Sequence, residues 1–289
     1  MKKSYQKFGN ETSSSNSRGK LESLKLDKTF FGFNLDTSSY YSDHIKVAIN
    51  SCIKNTNLEI FFLYCGAKNE LYEWLESKNV NLINTSDRNL LNLLKNLQGH
   101  QNNIHIALGA WQRIEVSNIC KELGIEDEHV LYTDVDVIFN QKINDPIKNL
   151  NVNTFACSRE GGHAPHYNSG VMIMNTNYLR NTYENFLNHC VKNKFKFVSF
   201  DQGALNSFYP TNSITILNHN EWNLNAYMSP NPNSSRIFHF HGPKIPDIQL
   251  FINNQHHNLD PTIQGLLSGI SKSRCKEIIS NFNSFLNHA

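Results

Sequence analysis

The sequence predicts an α/β domain with a mainly parallel central sheet covered by helices on both faces. Three observations predict it. Short apolar and aromatic runs alternate with stretches whose apolar residues recur at helical spacing, the order of βαβ units. One of the runs, residues 60–64, reads as a buried strand, as in a sheet covered on both faces. Acids and amides also follow several of the runs, and in such sheets ligands bind outside the carboxyl ends of the strands.

Residues 29–35 (Thr-Phe-Phe-Gly-Phe-Asn-Leu) read as the first strand, which gives way to a loop at Asp36, Thr37, Ser38 and Ser39. Asp43 is a candidate cap for a helix carrying Ile45, Ile49 and Ile53, and residues 60–64 read as a buried strand. Leu71, Trp74 and Leu75 form a second helical stripe, residues 80–83 a short strand, and Ile114, Ile119 and Leu123 a third helix ahead of a strand at Val130. Further on, residues 167–175 read as an apolar strand opened by a small polar corner, and Phe200 and Asp201 as a helix start where Asp201 can serve as a cap. Asp260 and Pro261 read as a cap and first-turn proline before Ile263, Leu266, Leu267 and Ile270.

Residues 1–27, rich in Ser, Asn, Gly and charge between 10 and 20, are expected to form a disordered tail. One domain is expected over 28–289, its last part, about 250–289, being a helical extension. The formal charge of +2, from 27 basic and 25 acidic residues, provides no field to recruit nucleic acid. No stretch approaches the roughly 20 apolar residues of a membrane span, and the N-terminus lacks the apolar core of a signal peptide. A cytoplasmic protein with reduced, buried thiols is expected, since the six cysteines are widely spaced and none forms a Cys-x-x-Cys pair. Lys272, Arg274 and Lys276 read either as a solvated helix face or as a basic cluster that favours a membrane surface.

The sharpest chemical signal is the run 130–139 (Val-Leu-Tyr-Thr-Asp-Val-Asp-Val-Ile-Phe), an apolar strand interrupted by Asp134 and Asp136. Period-two geometry sets both on one face, and two adjacent buried carboxylates need a cation or a shared proton. Ordinary loop acids are the alternative. A second segment, 236–246, carries His239 and His241 on one strand face ahead of Gly242, Pro243 and Lys244. Imidazole with carboxylate oxygens suits manganese and similar ions, Lys244 supplies a charge beside a phosphate, and His241 stays open between ligand and surface group. In the corner at 167–170, Asn168 can bond sugar hydroxyls and Gly170 allows close approach of backbone and ligand.

The order Asp-x-Asp, Asn-Ser-Gly-Val-Met (168–172), Asp-Gln-x-Ala-Leu-Asn (201–206) and His-Phe-x-Gly-x-Lys (239–244) resembles the retaining glycosyltransferases of family eight, the glycogenin and bacterial galactosyltransferase kind. The resemblance spans about residues 30–246. It implies the GT-A fold, a Rossmann-like sheet flanked by helices, and transfer of a sugar with retention from a nucleotide-diphosphate sugar, a UDP-sugar foremost, to a carbohydrate, lipid-linked or protein acceptor. By the same resemblance Asp134, Asp136 and His239 hold Mn2+ or Mg2+, and Gly242 and Lys244 hold the diphosphate. Asp36 and Tyr40 lie near the base, Arg113 near the diphosphate, Asn168 and Ser169 along the donor sugar, and Asp201 and Gln202 beside the reacting face. Two departures stand out: only Pro243 separates Gly242 from Lys244, where family members often have two residues, and 34–40 strays from the usual Ala-Asp-Asx-Tyr pattern.

The anomeric outcome follows from the face the acceptor uses. Retention favours same-face attack with Gln202 close by and Asp201 as hydroxyl partner or nucleophile, whereas inversion needs a base such as Asp201 or Glu221. Residues 140–165, including Arg159 and Glu160, are expected to loop over the site. The competing readings are a nucleotide-sugar hydrolase or pyrophosphorylase on the same scaffold, and a carbohydrate-binding protein with a structural calcium ion. A basic glycine-rich loop after the first strand, which a pyrophosphorylase needs, is missing, and His239 disfavours calcium.

Overall fold

The computed structural model describes residues 23–97, 103–228 and 235–287. The strands are β1 (Lys28–Asn34), β2 (Glu59–Cys65), β3 (Asn81–Asn84), β4 (His129–Thr133), β5 (Val137–Phe139), β6 (Phe155–Arg159), β7 (Tyr167–Asn175), β8 (Thr215–Ile216), β9 (Leu224–Asn225) and β10 (Ile237–His239). The helices are α1 (Ser38–Asn55), α2 (Glu70–Ser77), α3 (Asn89–Asn96), α4 (Ile104–Ala110), α5 (Val116–Glu122), α6 (Thr176–Lys192), α7 (Phe200–Phe208), α8 (His219–Trp222), α9 (Ile245–Ile252), α10 (Pro261–Ser268) and α11 (Lys272–Leu286).

Seven strands form the central sheet in the order β3-β2-β1-β4-β7-β6-β8, and β7 alone runs against the rest. The mainly parallel sheet expected from the sequence is thus present. Buried apolar residues of β1 and β2 stack across the register, with Phe30 opposite Phe61 and their rings 4.8 Å apart. The reversal of β7 follows from the short return after β6, through a 3-10 turn at Glu160–Gly162 with both glycines at positive φ. It also positions the site, because the start of β7 comes to lie beside the end of β4, with Val171 opposite Thr133.

A second sheet, β5-β10-β9, leans on the C-terminal helices, with His239 opposite Val137. Helix α11 packs on α1, where Asn50 Nδ2 donates to the Phe285 carbonyl at 2.8 Å. Part of the expected tail, residues 1–22, lies outside the described residues; Leu24 pairs with Ile147 and Leu26 is buried, so 23–27 belong to the fold. All six cysteines are unpaired and buried. No helix among the described residues is long and apolar enough to cross a membrane.

Several elements differ from their sequence reading. The run 130–139 is two strands in two sheets, so Asp134 and Asp136 sit on the bend between them and not on one strand face. Helix α1 starts at Ser38, which leaves Asp43 inside it, and Ile53 is exposed because the stripe faces the core only through Ile49. Leu123 is likewise exposed, one residue past α5. The loop expected over 140–165 contains β6, and α3 and α4 went unread although Leu90, Leu91 and Leu94 carry helical spacing. The Asp260 cap is present, its carboxylate accepting from the Thr262 and Ile263 amides. On α11, Arg274 pairs with Glu277 at 2.9 Å and Lys272 donates to the Ile252 carbonyl.

His44 on α1 is buried among Tyr41, Phe240 and Phe282, and neither ring nitrogen has a hydrogen-bond partner. Burial pushes it down from its ordinary value to about 4, against a smaller upward pull from Asp136. The unfolded chain therefore takes up a proton near pH 6.5 that the folded chain refuses until about pH 4. Stability falls as pH drops through that window, by roughly 3 kcal/mol at most. Denaturant titrations of His44→Phe at pH 7.5 and 5 are expected to show a smaller loss between the two pH values than wild type.

Candidate active site

Asp134, Asp136 and His239 come together although they belong to different sheets. Asp134 follows β4, its amide donating to the Gly170 carbonyl at 2.7 Å, and Asp136 precedes β5, its carbonyl accepting from the Phe240 amide at 2.8 Å. His239 ends β10, and its Nε2 lies 3.2 Å from Asp136 Oδ1 and 3.9 Å from Asp134 Oδ2. One ligand atom from each of the three falls within 4.8 Å of the others, and His241 is not part of that set. Two carboxylates and an imidazole, partly buried and convergent, could hold a divalent metal ion.

Two cations flank the acids. Lys244 Nζ contacts Asp136 Oδ2 at 2.6 Å and the Phe240 carbonyl at 2.6 Å. Burial works to raise the Asp136 carboxyl, but Lys244 and His239 outweigh it and hold it well below the usual carboxylate range. Arg113, buried on the turn ahead of α5, reaches Asp134 Oδ1 at 2.8 Å and Asp201 Oδ2 at 2.7 Å, and donates to the Ser169 carbonyl. Burial works against its charge, yet the two carboxylates raise its pKa overall. Asp201 is pushed up to about 6 by burial, with Arg113 pulling the other way.

Of these groups Arg113, Asp134, Asp136 and Asp201 line a cavity of about 590 Å3 at the carboxyl ends of β1 and β4. Its wall also includes Asn168, Ser169 and Gln202. Phe33, Asn34, Thr37, Tyr41, His105 and Ile106 line it as well. Asp36 and Tyr40 are not on the wall: Asp36 Oδ1 accepts from the Ala67 amide, and Tyr40 is about half exposed. Gly242 and Lys244 are also off the wall, Gly242 at φ +98° against Tyr227 and Leu266. Gln202 bridges the Ser169 amide and Glu160 Oε2 at 3.1 Å each. Glu221 is held by Arg236 at 2.6 Å, away from the cavity.

Sequence reasoning missed two contributors. Asn223, buried just ahead of β9, sets its amide oxygen Oδ1 2.7 Å from His239 Nδ1. Glu160, read only as part of a loop, accepts from Asn168 Nδ2 at 2.9 Å and lies 3.2 Å from His241 Nδ1. Neither has a sequence signal, since a lone amide or acid beside a strand is common.

No family model matches the sequence, and no curated protein matches it. Among solved structures the chain is similar to the glycosyltransferase GlyE of Streptococcus pneumoniae TIGR4, at 16% identity and a TM-score of 0.55 over 90% of this chain and 63% of that one. It is similar to the apo form of GlyE at 17% identity and TM-score 0.53, covering 91% of this chain and 64% of that one. It is also similar to the bifunctional glycosyltransferase WbbM, at 14% and 0.52, over 84% of this chain and 51% of that one. The chain has the fold of these glycosyltransferases. It spans between about half and two thirds of their lengths, and at these identities the likeness is one of fold.

Proposed function

We propose that this protein is a metal-dependent glycosyltransferase of the family-eight kind. It moves a sugar from a nucleotide-diphosphate donor, a UDP-sugar in the first instance, to an acceptor hydroxyl with retention. The observation that carries the reading is the convergence of Asp134, Asp136 and His239 beside a nucleotide-sugar-sized cavity at the carboxyl edge of a glycosyltransferase-fold sheet. Asp134, Asp136 and His239 would hold Mn2+ or Mg2+. When bound, such an ion neutralises charge on the departing diphosphate.

The protein's own groups do the remainder. Arg113, locked between Asp134 and Asp201, presents a fixed positive charge at the cavity wall that needs no reorganisation as the leaving group becomes negative. Asp201 is engaged by Arg113 and by the Ser169 hydroxyl at 3.3 Å, and this favours a positioning role over attack on the sugar. Gln202 lines the cavity on the side of Ser169 and Glu160, where a cationic sugar centre meets its amide oxygen and the Glu160 carboxylate.

Calorimetry with a panel of nucleotide-sugars, in manganese and again with chelator, tests the proposal. Binding is expected only with metal, and Asp134→Asn should weaken it by at least about tenfold, the loss of one charged ligand. Equal affinity with and without chelator would sink the metal-dependent reading.

A further inference from the structure

The hydrogen bonds around His239 fix which ring nitrogen carries its hydrogen. The Gly170 backbone N–H can only donate, and it meets Asn168 Oδ1 at 2.9 Å. That orients the Asn168 amide, whose Nδ2 then donates to the Glu160 carboxylate at 2.9 Å. Asn223 Nδ2 lies 2.7 Å from the same Asn168 oxygen and 3.0 Å from Ser158 Oγ, so it is the donor there. The other end of the Asn223 amide, Oδ1, is left facing His239 Nδ1 at 2.7 Å. An amide oxygen only accepts, so the hydrogen belongs to Nδ1, and the Nε2 lone pair is turned to Asp134 and Asp136.

We propose that Asn168 and Asn223 are positioning residues that carry the direction of the Gly170 N–H bond to His239 and hold its ring in the one tautomer able to bind a metal between the acids. The proposal rests on the metal-site reading above and adds to it a cause. Apart from the partly exposed Glu160, the side chains in the chain of bonds are nearly fully buried: Ser158 and His239 at 0% and 1% exposure, Asn223 at 1% and Asn168 at 3%. No water is needed to complete the chain of bonds. Outer partners of this sort orient the ligand, and their loss typically costs 10- to 100-fold in metal affinity. A second consequence concerns the sugar. Both lone pairs of Asn168 Oδ1 are engaged, so Asn168 has a single N–H left for a ligand hydroxyl.

The test uses the full chain, 15N-labelled and metal-free, at alkaline pH, where the imidazole carries one hydrogen. Long-range proton–nitrogen correlation, with His239 assigned by its absence in His239→Gln, is expected to show a pyrrole-type Nδ1 and a pyridine-type Nε2. Hydrogen on Nε2, or an even mixture, overturns the proposal. Asn223→Leu should release the preference and weaken manganese binding about 10- to 100-fold, while Asn223→Asp, which keeps an acceptor opposite Nδ1, should retain the tautomer. Wild-type tautomer and affinity in Asn223→Leu also overturn it. A leucine variant that fails to fold leaves the decision to the wild-type and Asn223→Asp spectra. If the wild type binds no manganese, the metal reading falls, and the tautomer is still decided by the spectrum.

Discussion

Asp136→Ala is expected to abolish metal-dependent sugar transfer and to weaken manganese binding by 100-fold or more, with the chain still folded. Asp136 is the hub of the site: one oxygen meets Lys244 at 2.6 Å and the other His239 at 3.2 Å. In the proposed metal site its removal takes away an anionic ligand, and with it several kcal/mol of charge stabilisation, which at about 1.4 kcal/mol per decade exceeds two powers of ten. Lys244 also loses its counter-charge. Breaking a buried pair costs up to about 3–5 kcal/mol, lessened here because Lys244 keeps the Phe240 carbonyl and can turn to water, so a lower melting temperature is expected without loss of the fold. Asp136→Asn separates the two effects, since its amide oxygen can still accept from Lys244 while the ligand charge is gone. Manganese titration and circular dichroism of both variants provide the check. Wild-type manganese dependence in Asp136→Asn would remove Asp136 from the metal site.

The elements that position this site were legible in the sequence to differing degrees. The strands β1, β2 and β7 were readable because each contains a short apolar run, the pattern that buried strands leave. The acids were readable by type and spacing but not by placement. Period-two alternation assumes one strand, whereas the chain leaves one sheet at Thr133 and enters another at Val137, and nothing in Asp-Val-Asp announces the transfer. His239 was legible from its alternating strand and the Gly242 turn. Asn223 was not, because its importance lies in which way its amide points, and that is set from Gly170, fifty-three positions earlier, through Asn168. Asp201 shows the converse: its helix-start position suggested a cap, but burial beside Arg113 makes it the partner of a cation.

Gly170→Ala is expected to lose manganese binding and turnover by about 100-fold while keeping the fold, and the reason is local. Gly170 sits in β7 at an ordinary extended conformation and is not among the glycines at positive φ, so alanine meets no backbone penalty. What alanine lacks is room. A methyl group there would stand 2.8 Å from Asp134 Oδ2 and 3.0 Å from Asn168 Oδ1, and would press on the edge of the His239 ring. The sheet cannot move, since Gly170 accepts from the Asp134 amide at 2.7 Å and its strand is paired on both sides. The side chains must give way instead, and overpacking of this kind costs about 1–3 kcal/mol of stability. A displacement on the order of 1 Å at a positioned group can cost about a hundredfold in rate. Comparing the melting temperature with manganese affinity separates the two: a modest drop in the first with collapse of the second assigns Gly170 to holding His239 and Asp134 in contact. Retained affinity would mean that the ring and the acid have slack around the methyl group, and that their geometry is not what sets binding.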